Sequence, residues 1–219
     1  MGLDTQLTIS RFELLAKTGK ARLNGEVIEG TFGDSPLIVR NTARICEEIA
    51  NCPDSPEAIL RFTLKYAPLE TPTKSGEKFQ FELCEWRAFR KTFRNNWQSV
   101  FTVIRGWDRS AKMWSFPKGS RLIFSPTGNT LQQDRFLDLV NLCFGALPWE
   151  RVRICPAPGC EKPYFVAAHL KQVYCGDRVC VAWGKRKLKL EYWNRNKERF
   201  MKERKLNRKE RLDGSNKAR

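Results

Sequence analysis

Apolar positions along the first 35 residues alternate with polar ones, as in Leu7-Thr8-Ile9-Ser10 and Glu26-Val27-Ile28-Glu29. Alternation with period two marks half-buried strands. Asn24-Gly25 between them marks a turn, so two short strands or a hairpin are expected. The period then changes. Ser35-Pro36 has the form of a helix start, and Leu37, Ile38, Ile45 and Ile49 continue at helical spacing, which predicts a helix over 36–51. Ser55-Pro56 repeats the signal and predicts a second helix over 56–66. Thr71 to Gly76 reads as a loop. From Glu77 to Trp107, Phe79, Leu83, Trp86, Phe89, Phe93, Trp97, Val100, Phe101 and Ile104 recur every three or four residues. They predict one long helix with a core-facing aromatic stripe and Arg87, Arg90, Lys91 and Arg94 opposite. Residues 113–130 hold Trp, Pro and Gly, with a strand candidate at Arg121–Phe124. A further amphipathic helix is expected over 131–147, ended by Pro148. Arg151 to Cys155 reads as a short strand, and the chain from about Arg178 onward reads as helix. The fold class is therefore α+β, mostly helical. Three parts are expected: a mixed domain over 1–148, a small module over 149–182, and a basic helix with a frayed tail over 183–219.

Charge sharpens this division. Residues 1–150 hold 20 Lys and Arg against 17 Asp and Glu. Residues 151–219 hold 20 against 7, so most of the formal net charge of +16 sits in the last third. Such asymmetry points to a polyanionic partner rather than to general solubility. Residues 185–211 alone carry 13 Lys or Arg and four Glu. Lys185, Arg186, Lys187, Lys189, Arg195 and Lys197 are the candidate phosphate contacts, with Arg178 and Trp183 at the junction as candidates for base contact. Leu190, Trp193 and Phe200 share a helix face, and Trp183 and Trp193 are expected to anchor the helix by packing. Glu191/Arg195 and Glu198/Lys202 are acid-first pairs four apart that support a formed helix. No run of about 18 apolar residues exists, so no membrane span is expected. Met1 to Gln6 has neither a secretion signal nor a myristoylation pattern, so the expected compartment is the reducing cytoplasm.

In that compartment cysteines are read as metal ligands or core residues before disulfides. Cys46, Cys52, Cys84 and Cys143 stand singly among apolar neighbours and are expected in the core. Cys155, Cys160, Cys175 and Cys180 form two pairs, each with four intervening residues, separated by residues 161–174. Two close pairs let each loop offer two sulfurs to one ion, so one structural Zn2+ per chain is the favoured reading. An iron–sulfur cluster, redox thiols or a disulfide pair are the alternatives. Tyr164, Phe165 and Val166 are expected to pack beneath the ion. Arg151, Arg153, Lys162 and Arg178 stand near the four thiolates in sequence and are expected to offset their charge. His169, the single histidine, lies between the pairs and is read as a surface or packing residue.

The stretch from Arg151 to about Arg199 resembles the CGNR zinc-finger family of bacterial proteins. The resemblance lies in Arg151 and Arg153, the C-x4-C of Cys155 and Cys160, Phe165, the C-x4-C of Cys175 and Cys180, and the basic helix from Lys185. The family's Gly-Asn-Arg follows the fourth cysteine; here Val181-Ala182-Trp183 stands there, and Gly176-Asp177-Arg178 follows the third. The resemblance implies a helical N-terminal domain of the kind called ABATE and a cytoplasmic, DNA-binding transcription regulator. An RNA- or ribosome-associated protein is the alternative, since phosphate contacts do not tell DNA from RNA. A nuclease is the competing class. The chain has no Ser/His/Asp arrangement, no H-E-x-x-H and no phosphate-cradling Gly loop, so it is expected not to be an enzyme. Dimerisation, response to an effector or partner contact are the roles expected of residues 1–148.

Overall fold

The computed structural model describes residues 9–14, 16–68, 76–103, 121–123, 129–133 and 135–216. The fold is α+β and mostly helical, as the sequence pattern implies. Strands β1 (Ile9–Leu14), β2 (Thr18–Asn24), β3 (Val27–Phe32) and β4 (Leu37–Val39) precede helices α1 (Thr42–Asn51) and α2 (Pro56–Lys65). Next come β5 (Lys78–Glu82), the long α3 (Leu83–Val103), β6 (Arg121–Ile123), β7 (Asn129–Gln133) and α4 (Phe136–Gly145). A hairpin of β8 (Val152–Ile154) and β9 (Tyr164–Val166) leads to α5 (Arg178–Asn216). One sheet has the order β4-β1-β7-β6, with β1 and β7 parallel; a second has the order β2-β3-β5. Gly25, at a φ of 63°, supplies the positive-φ residue of the turn that closes β2 onto β3.

Several expected helix starts are displaced. Leu37–Val39 is not the first turn of a helix but an edge strand paired antiparallel with β1. The helix begins instead at Thr42, where the Asn41 side chain caps it by accepting from the Arg44 N–H at 3.0 Å. Lys78–Glu82 is likewise a strand, paired with β3, and α3 starts at Leu83. Phe79 and Leu83 satisfy both a strand's alternation and a helix's four-residue step, so spacing alone could not place the boundary. Asn129–Gln133 pairs with β1 and β6, which holds the expected 131–147 helix to Phe136–Gly145. The Ser55-Pro56 start is as expected: the Ser55 hydroxyl accepts from the Ala58 N–H at 3.2 Å. Residues 7–8, 71–75, 104–107, 113–120 and 124, on which parts of the sequence reading fall, lie outside the described residues.

One main core joins these elements. Trp86 and Trp97 of α3 are buried against Phe62, Phe93, Phe136 and Phe144 and their neighbours. Cys46, Cys52 and Cys143 are buried there. Cys84 is not in the core: it is exposed, one residue round the helix from the inward-facing Leu83, and its thiol donates to Glu82 at 3.1 Å. The hairpin after Pro148 packs on the same core. Val152 is fully buried in it, and Ile154, Tyr164 and Val166 lie against it. Trp97 Nε1 donates to the Arg153 carbonyl at 3.0 Å. The free edge of β9 is covered by α1: Asn51 donates to the Tyr164 carbonyl at 2.7 Å and accepts from the Tyr164 N–H at 3.1 Å. The Glu47 carboxylate accepts from the Val166 N–H at 2.6 Å. Burial of that carboxylate raises its pKa above the usual value even though the Val166 N–H pulls the other way.

Candidate metal centre

The hairpin sends its two faces to different places, because successive strand residues point to opposite sides. Tyr164 and Val166 face the main core; Phe165 between them is buried in a second, small cluster with Cys155, Ala157, Ala167, Cys175 and Cys180. Of the three residues expected beneath the ion, Phe165 takes that place and its two neighbours do not. Pro156 and Pro158 restrict the backbone of the first cysteine loop, and Gly159, at a φ of 71°, turns it back toward Cys160. Cys180 arrives differently, on the first turn of α5. Asp177 caps that turn, its carboxylate accepting from the Val179 N–H at 2.8 Å and the Cys180 N–H at 3.4 Å. The sulfur thus sits where the helix N-terminus favours negative charge.

The four sulfurs of Cys155, Cys160, Cys175 and Cys180 all lie within 4.8 Å of one another. Those of Cys160 and Cys175 are 3.6 Å apart. Tetrahedral zinc with bonds of about 2.3 Å separates its sulfurs by about 3.8 Å. The cluster is therefore close enough to bind one metal ion and is compatible with zinc. The thiols also need a cation to ionise together. Burial opposes ionisation of Cys155, yet the backbone N–H groups of Cys175 and Ala157 bring its pKa below the ordinary thiol value. Burial and the sulfurs of Cys175 and Cys155 push Cys160 up to about 11. His169 is exposed and is not among the grouped ligands. Of the cations expected around the site, Arg153 serves the backbone: its guanidinium donates to the carbonyls of Val152 at 2.8 Å and Leu170 at 3.3 Å, tying the loop between the cysteine pairs to β8.

Gly184, which reads in the sequence only as an interruption of the helix, has a packing role. A methyl group there would lie within 3.0 Å of three ring carbons of Tyr174. Tyr174 meets Trp183 edge to face at 5.9 Å, and both pack against the cysteine cluster. Trp183 thus has the anchoring role expected of it. Replacing Gly184 with Ala is expected to expel the Tyr174 ring and loosen the joint between the second cysteine loop and α5. The readout is faster metal loss to a chelator, about tenfold or more, even though Ala is the better helix former by about 1 kcal/mol. An unchanged or slower loss would show that helix propensity outweighs the ring contact.

Past Gly184 the described helix leaves the body of the protein. Side chains from Lys185 to Asn207 are exposed, apart from Asn196 and Phe200, which are half-buried by their own helix neighbours. Trp193 stacks on Phe200 at 5.4 Å rather than on another element, so the anchoring expected of Trp193 is absent among the described residues. The candidate phosphate contacts are all exposed but do not share one side. At 3.6 residues per turn, Lys185, Arg186, Lys189 and Lys197 fall within about one third of the circumference, while Lys187 and Arg195 point elsewhere. Lys187 also lies 4.0 Å from Glu191 and over the Trp183 ring. Arg178 is exposed at the first turn. No described helix is long and apolar enough to cross a membrane.

No family model, curated protein or solved structure matches the chain.

Proposed function

We propose that the protein binds nucleic acid, with DNA favoured, through α5, and that a structural zinc ion held by Cys155, Cys160, Cys175 and Cys180 fixes the root of that helix. The carrying observation is the emergence of an exposed, strongly basic helix directly from the four-cysteine cluster through Cys180. A single ion such as zinc is favoured over a multi-iron cluster because all four sulfurs lie within 4.8 Å of one another, which fits one tetrahedral ion. A rooted helix orders its cations before the partner arrives, which reduces the entropy lost on binding. Together with the resemblance of 151–199 to the CGNR zinc-finger family, this favours a bacterial transcription regulator that is not an enzyme. Residues 1–148 then serve as the platform for dimerisation, an effector or a partner.

Binding to duplex DNA is expected to weaken with salt. Four same-side cations correspond to a slope of log affinity on log salt of about −3 to −4. Replacing Lys185, Arg186 and Lys187 together with Ala removes two of the four, so the slope should fall by about two, with a similar loss on every sequence. Anisotropy titrations at three salt concentrations measure both. A slope near zero, or a variant with an unchanged slope, would remove the basic helix from the interface.

A further inference from the structure

Beyond Gly184, α5 carries apolar side chains that nothing in the described structure covers. Leu188, Leu190, Tyr192, Trp193, Met201 and Leu206 are all exposed, from 37% at Trp193 to 62% at Leu188. They do not form one stripe. At 3.6 residues per turn, Leu188, Tyr192 and Leu206 lie on one side, Trp193 and Phe200 about 130° away, and Leu190 and Met201 about 80° further round. A helix lying on a membrane needs one broad apolar face, and this helix has none. A second copy of the same helix would bring cations against cations.

The side bearing Trp193 has its own order. Arg186, Lys189, Trp193, Lys197, Phe200 and Arg204 follow at steps of three or four, so cations and rings share one side over five turns. None of the residues three, four or seven positions from Trp193 is acidic. The rings of Trp193 and Phe200 are nearly parallel, 17° apart in plane, and stack on each other with their centroids 5.4 Å apart. Guanidinium groups lie over the rings: Arg204 5.8 Å from the centroid of Trp193 and Arg199 5.3 Å from that of Phe200. Phosphates need only the cations. Flat rings set between cations along a strand's path suit bases, but only bases free of a partner can lie flat on them.

We infer that Trp193 and Phe200 form a stacking platform for unpaired bases, so that the target of α5 contains single-stranded nucleic acid. This rests on the nucleic-acid reading above and narrows it to a substrate class. The cations hold the backbone, and the two rings receive bases that a closed duplex cannot offer.

The test uses the full metal-loaded chain and four probes of equal length at matched salt: a mixed-sequence single strand, the same strand with abasic sites throughout, the duplex, and vesicles of anionic lipid. The single strand should bind about tenfold or more tighter than its abasic counterpart, since stacking contributes per base. Trp193→Ala with Phe200→Ala should abolish that difference and leave the salt slope intact, while Trp193→Phe should keep most of it. Both positions are on an exposed helix that Ala favours, and circular dichroism confirms the fold. Equal binding of normal and abasic strands overturns the platform but leaves phosphate binding by α5 in place. Tight vesicle binding lost in the double variant, or a dimer that the double variant breaks, also overturns it. Failure of every nucleic acid to bind at low salt defeats the platform and the underlying reading together.

Discussion

Stripping the metal with a strong chelator is expected to erase hydrogen-exchange protection from 156–163 and 167–184, while α1 to α4 keep theirs. The cluster beneath the sulfurs holds one large buried apolar side chain, Phe165, beside Ala157 and Ala167, with Tyr174 and Trp183 only half-buried against it. That is too little burial to order two loops and a helix start on its own. A four-thiolate ion contributes about 10–16 kcal/mol of apparent binding free energy to such a module, and that energy is folding energy. The main core has its own aromatic interior and does not depend on it. Between these limits stand β8 and β9. Val152 is buried in the main core, and Trp97, Asn51 and Glu47 hold the hairpin's backbone from outside the module. Their amides should therefore keep part of their protection after the metal leaves. Metal analysis should give one zinc per chain, and Cys160→Ser should lose most of it and behave as the chelated protein does. Iron in place of zinc, no metal at all, or a Cys160→Ser variant with full metal and an unchanged melt would sink the assignment. Loss of protection throughout α1 to α4 would show that metal and core form a single cooperative unit.

What the sequence reveals and what it hides divide by the range of the interaction. The cysteine spacing is legible because each pair of ligands is local and a tetrahedral ion constrains short loops strongly. The Ser55-Pro56 start is legible because a cap involves residues three apart. The strands Leu37–Val39 and Asn129–Gln133 are not: they are short, and their partner β1 lies far from at least one of them in the chain. Their apolar residues fit a helix as well as a strand until that partner is known. Cys84 fails for a different reason. Apolar neighbours in sequence say little when the backbone is helical, because one residue's step turns a side chain by about 100°. Trp193 and Phe200 show the reverse error. The shared face is real, but spacing cannot say whether another element covers it.

Asn51 is among the longest-range features, and its replacement by Ala is expected to be among the most damaging single changes outside the cysteines. One amide side chain on α1 both donates to and accepts from the backbone of Tyr164, 113 residues away, in the manner of a neighbouring strand. No local motif announces this. Ala would remove both hydrogen bonds and leave a half-buried N–H and carbonyl unpaired, a loss of about 2–4 kcal/mol. Asn51→Asp should be at least as harmful, because it keeps the acceptor but sets an anion against the Tyr164 carbonyl. Asn196→Ala serves as the control. Its amide bonds the Tyr192 carbonyl four residues back on exposed α5, so its removal should change stability by less than about 0.5 kcal/mol. Denaturant unfolding of the metal-loaded chains gives the three values. The hairpin carries Cys155 at its end, so metal should also leave Asn51→Ala faster than wild type. If Asn51→Ala instead matches the control in both stability and metal retention, the module is held to the core by its apolar contacts and the Trp97 and Glu47 hydrogen bonds without help from Asn51.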